Sequence, residues 1–232
     1  MINKPILITG CARSGTSMTA GIIQLSGAWG GKTFGTTKYN RKGMFENSII
    51  RQNYTKPFLR SLGVDPLGQK PLPDIDKVKL VTNETVNNWR SDIQREIKKQ
   101  GYQNGHWYYK GAKMCLFWPL WVRAFPEARW VIVRRKSDDI VRSCLNTGFM
   151  KAYKTAEGWL GWVDEHKERF IEMEEFGCNI SYTWPQKMID FDLSEIKLII
   201  EKIGLDWNKD AVEDFIEPAY WSGGQSSQRR EK

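Results

Sequence analysis

The chain has 232 residues, 41% hydrophobic and 27% charged, enough for one globular domain with a sizeable core, and no apolar run reaches the ~18 residues of a membrane span. Its net charge of +8, from 35 basic and 27 acidic residues, favours anionic partners but does not by itself indicate nucleic acid. Four scattered cysteines (Cys11, Cys115, Cys144, Cys178) and two histidines (His106, His166) exclude a disulfide framework, a zinc site and a histidine-cluster metal centre.

In chain order, Ile6-Leu7-Ile8-Thr9 reads as a buried strand, followed by a glycine-bounded loop from Gly10 that opens a helix near Ser17. A strand starting at residue 6 leaves no room for a signal peptide, so a cytoplasmic protein is expected. Gly10 and Gly15 have the G-x-x-x-x-G spacing of a phosphate-cradling loop. Thr16 stands where a nucleoside-triphosphate site has its lysine, and the cation comes earlier, as Arg13. Such a loop points backbone N–H groups and a helix N-terminus at one anion, with Thr16 and Ser17 as hydroxyl donors.

Met18 to Leu25 reads as a helix, and Gly35 to Gly43 as a polar loop. Glu46 to Leu62 is expected to be helical with a kink at Pro57, and Gly63 to Asp76 to be a long binding loop. Glu84 to Gln100 is an amphipathic helix through Val86, Trp89, Ile93 and Ile97. Trp107 to Lys110 and Trp130 to Arg134 are strands, with a helix from Pro119 to Phe125 between them. Ser137 is the expected cap of the next helix, with Asp138 and Asp139 in its first turn. Trp159 to Phe176 and Ser194 to Ile203 are further helices, and Lys187 to Phe191 a short strand.

Strands alternating with helices predict an α/β fold, a parallel β-sheet flanked by helices, in a single domain spanning 1–232 with a loose tail over 223–232. Ligands of such sheets sit at the carboxyl ends of the strands. Three predicted ends carry cations: Arg13 after the first, Lys110 on the second, and Arg134 and Arg135 at the third. Three cations on one edge suit a ligand with several negative charges.

Together these residues resemble the sulfotransferases that use 3′-phosphoadenosine 5′-phosphosulfate (PAPS). Arg13-Ser14-Gly15-Thr16-Ser17 is similar to the phosphosulfate loop of that family. Arg135 and Ser143, eight residues apart, match its second signature, a strand-end arginine and a helical serine. Tyr109-Lys110-Gly111-Ala112-Lys113 resembles the bacterial Lys-x-Pro-Arg segment, with Ala112 for the proline and Lys113 for the arginine. Gly43-Met44-Phe45-Glu46-Asn47 is similar to a glycine-aromatic-glutamate segment of bacterial members. The likeness covers roughly residues 5–50 and 105–150, with a weaker echo near 188–221.

The resemblance implies the P-loop-like sulfotransferase fold and sulfuryl transfer from PAPS to a hydroxyl or amine, leaving 3′,5′-diphosphoadenosine (PAP), with no metal required. Arg13 and Lys110 would act on the phosphosulfate, with Ser14, Gly15, Thr16 and Ser17 as donors around it. Arg135 and Ser143 would hold the 3′-phosphate. Glu46 is the implied base, a role that needs a raised pKa near neutrality; His106 competes with it. The tail arginines Arg229 and Arg230 are read as a solvated end rather than a lid. The acceptor is a small molecule, glycan or lipid that the sequence does not name, and the oligomeric state is open. Two other readings remain: a P-loop kinase or other nucleotide phosphotransferase, and a non-catalytic basic nucleotide-binding protein.

Overall fold

The structure, a computed structural model, describes residues 4–221. Strand β1 (Ile6–Gly10) leads into helix α1 (Thr16–Leu25). A π-helical stretch (Ile50–Thr55) runs straight into α2 (Lys56–Ser61), followed by α3 (Ile75–Lys79) and α4 (Asn83–Lys99). Next come β2 (Tyr108–Lys110), α5 (Trp118–Ala124), β3 (Arg129–Val133), α6 (Ser137–Leu145) and α7 (Ala156–Glu175). The described chain ends with β4 (Asn179–Thr183), α8 (Pro185–Ile189), α9 (Ser194–Lys202) and α10 (Lys209–Phe215).

The strands form one parallel sheet in the order β2-β1-β3-β4, so the expected α/β architecture is present. In register, Ile8 lies beside Lys110 and Gly10 beside Val133, which brings the carboxyl ends of the first three strands to one edge. Alternate residues face opposite layers. Leu7, Tyr109, Trp130 and Ile132 pack with apolar residues of α4, α5, α6 and α7. Ile6, Ile8, Tyr108, Val131 and Val133 pack with those of α1, α9 and α10. Apolarity on both faces is why the central strands read as unbroken hydrophobic runs. In the first layer Trp121 stacks on Tyr109 (5.3 Å between ring centroids) and meets Trp89 edge-on (5.3 Å), so these aromatics belong to the core.

Several local expectations change. Pro185–Ile189 is a helix, and the fourth strand lies just upstream, at Asn179–Thr183. This edge strand is half-exposed and polar in sequence, so it carries no buried-strand signal. Lys187, expected in a strand, instead faces outward and pairs with Glu195 at 2.8 Å. Pro57 does not break its helix, which is continuous from Ile50 to Ser61; the π-helical turn lies directly before the proline, and a π-bulge is one way a helix adjusts locally. Ser137 is the first residue of α6, after Lys136, and makes no capping bond. The loop after Gly63 ends sooner than expected, where Asp74 caps α3 by accepting from Asp76 N. Arg229 and Arg230 lie outside the described residues.

Candidate active site

The loop between β1 and α1 is shaped by backbone conformation. Gly15, the N-cap of α1, has φ +101°, a left-handed geometry that a side chain would strain. A Cβ there would also lie 2.8 Å from Pro185 and 3.0 Å from Trp221. Arg13 itself has φ +73°, unusual for a residue with a side chain. The first-turn N–H groups of α1, from Thr16 on, lack intrahelical partners and add the positive end of the helix dipole.

These residues open onto a cavity of about 410 Å³ at the carboxyl edge of the sheet. Arg13, Gly15, Thr16, Ser17, Lys110 and Arg135 all line it. Arg13 Nε donates to Ser143 Oγ (3.0 Å), and Arg135 Nη1 donates to the Arg13 carbonyl (2.7 Å), so the two arginines and the serine form one assembly. Burial pushes the pKa of Arg135 down to about 10, which still leaves it charged at neutral pH. Arg134 points elsewhere, among the rings of Phe170, Tyr182 and Trp184 at 5.3–5.8 Å.

Two predicted residues stand back from the cavity. Ser14 is fully buried, its N–H donates to the Cys11 carbonyl, and its hydroxyl faces the Cα of Gly10, so neither group reaches the cavity. Ser143 is buried and does not line the cavity itself, but its hydroxyl holds Arg13, which does.

Glu46 lines the cavity at 4% exposure but lies outside any helix, its carbonyl accepting from Phe34 N. Its carboxylate is 3.5 Å from Arg51 Nε and 3.8 Å from Lys110 Nζ. Burial raises its pKa, but Lys113, Lys110 and Arg51 outweigh burial, and the pKa lies below the ordinary carboxylate value. The raised pKa expected of a base is therefore not found.

His106 precedes β2 at the amino edge of the sheet, with its ring next to Gly204, and does not line the cavity. The cavity histidine is His166 on α7. Its Nδ1 bonds the Trp162 carbonyl (2.8 Å), which leaves Nε2 as the lone-pair nitrogen, and burial lowers its pKa to about 4.

Arg51, Lys113, His166 and Trp221 also line the cavity, and sequence reading gave none of them a role. Trp221 lies over the Arg135 guanidinium at 4.2 Å and donates to Gln186. They come from four separate segments, so no local spacing ties them together.

No protein-family model matches the sequence, and no curated protein matches it. Solved structures do. The chain is similar to the sulfotransferase STF1 of Mycobacterium tuberculosis at TM-score 0.51 and 13% identity, covering 93% of this chain and 71% of that one. It is also similar to the sulfotransferase domain of the Synechococcus PCC 7002 olefin synthase at TM-score 0.60 and 13% identity, covering 100% of this chain and 90% of that one. On this likeness, the chain has the α/β fold of the sulfotransferases, a parallel sheet flanked by helices.

Proposed function

We propose that the protein is a sulfotransferase that moves a sulfuryl group from PAPS to a hydroxyl or amine of an acceptor, releasing PAP. The observation that carries this reading is the meeting of Arg13, Lys110 and Arg135, from three strand ends, around one loop-and-helix anion cradle. A donor with phosphate groups at both ends of a nucleoside suits that spread of cations.

In this reading Arg13 and the first-turn N–H groups of α1 hold the phosphosulfate and offset charge on the leaving phosphate. Ser143 orients Arg13 through the bond to its Nε. Arg135 holds the 3′-phosphate. Lys110, buried beside Glu46, would reach the bridging oxygen or the sulfuryl group and offset charge there. The S–O bond to phosphate breaks as a bond from sulfur to the acceptor forms, and the acceptor loses one proton. Glu46 takes that proton. Its lowered pKa keeps it ionised at neutral pH, as a proton acceptor must be, but makes it a weak base. Positioning and charge stabilisation therefore do most of the work.

The test is calorimetric titration with PAP without magnesium, and with magnesium-ATP in parallel. Tight PAP binding with weak ATP binding supports the reading. Preference for ATP replaces it with a phosphotransferase, and binding of neither leaves a degenerate loop.

A further inference from the structure

Lys113 follows β2 and is only 8% exposed, yet it lines the cavity. Among the described residues its ammonium makes no hydrogen bond and no ion pair. Glu46, the carboxylate that acts on it most, is already shared by Arg51 and Lys110. The three N–H donors of Lys113 thus face the cavity with no acceptor among the described residues, and a bound anion would supply one.

The side chain reaches this position over Gly68, where a Cβ would come within 2.9 Å of Lys113 Cγ. The wall beyond is preformed. Gln69 ties two loops together, donating to the Phe149 carbonyl (2.8 Å) and accepting from Lys151 N (2.8 Å) and Ala152 N (3.2 Å). Trp162 Nε1 donates to the Gly68 carbonyl (3.0 Å). Leu67, Phe149, Met150 and Trp162 give this part of the cavity an apolar surface. A cation without a partner beside an apolar wall fits a ligand with an anionic group and an apolar body.

We propose that Lys113 anchors an anionic group of the acceptor, a carboxylate, phosphate or sulfate carried by the molecule whose hydroxyl or amine is sulfated. This rests on the sulfuryl-transfer reading above, in which Arg13, Lys110 and Arg135 already serve the donor. The charged groups acting on Lys113 are Glu46 on one side and Arg51, Lys110 and Lys56 on the other. Burial is the largest of the effects that bring its pKa down to about 8, so the anchor is charged at pH 7 and fades above pH 8.

The test uses protein saturated with PAP and two probes of one shape, benzoate and benzamide, titrated calorimetrically. Benzoate should bind at least about tenfold tighter than benzamide at pH 7, the worth of one charge-assisted hydrogen bond. Lys113→Gln should abolish that preference, and Lys113→Arg should keep it. Raising the pH past 8 should weaken benzoate on the natural protein but not on Lys113→Arg. Equal binding of the two probes, or no binding of benzoate, overturns the proposal. So does a Lys113→Gln variant that loses affinity for PAPS but not for PAP, because Lys113 would then hold the donor's sulfuryl group. Failure of the donor reading appears separately, as absence of PAP binding in the first titration.

Discussion

Replacing Lys113 by methionine should make the protein more stable. The substitution keeps an unbranched stem over Gly68 and removes only the ammonium. The fall of the lysine pKa from 10.5 to about 8, at 1.36 kcal/mol per pH unit, means that holding the charge costs the folded state about 3 kcal/mol. The sign follows from proton binding. Between pH 8 and 10.5 the unfolded chain holds this proton and the folded chain does not, so the natural protein gains stability as pH rises through that window. Below pH 8 the full cost is present. Lys113→Met should therefore gain about 3 kcal/mol at pH 7, or about 6–12 °C in Tm for a chain of this size. The gain should shrink above pH 8 and vanish near 10.5. Urea unfolding of both proteins at several pH values measures it, and their difference cancels the other titrating lysines. A variant less stable at pH 7, or a difference that does not change with pH, refutes the idea that an uncompensated charge is stored there. A charge kept at such a cost is expected at a binding site rather than in a purely structural role.

Three further outcomes are expected. Arg13→Ala should weaken PAP binding by about 10–100-fold, the loss of one charge-assisted contact, and unchanged affinity in calorimetry would remove the donor assignment. Glu46→Gln should leave PAP binding in place and lower turnover by about 10²-fold, the low end of the general-base range. It should also cost about 3–5 kcal/mol in urea unfolding, because Arg51 and Lys110 lose their shared carboxylate. Since that carboxylate's pKa is lowered on folding, its contribution is present above the ordinary carboxylate pKa and lost as pH falls through the folded value; the variant should lack this acid limb. His166, lowered from 6.5 to about 4, should make stability fall by about 3 kcal/mol as pH drops from 6.5 to 4. His166→Gln should flatten that interval, and an unchanged slope would mean that the ring is hydrated.

The amino-acid sequence by itself determined the parts that rest on local signals. Central strands buried on both faces must be apolar throughout, so β1 and β3 stand out in the sequence. The glycine spacing of Gly10 and Gly15 marked the loop that lines the cavity, and the cations after the strands marked the edge where Arg13, Lys110 and Arg135 meet. The tertiary structure alone decided the rest. β4 is a polar edge strand, paired on one side only, and its sequence lacks the pattern that would reveal it. His106 and Lys110 are four positions apart, yet one stands at the amino edge of the sheet and the other at the carboxyl edge, because a strand carries its residues across the sheet. Ser14 and Gly15 are adjacent, but the turn buries one and opens the other to the cavity. The charge on Glu46 and the lack of a partner for Lys113 among the described residues depend on Arg51, Lys56 and Lys110 coming close to them in space. Burial and Coulomb interaction act through distance in space, which sequence separation does not record.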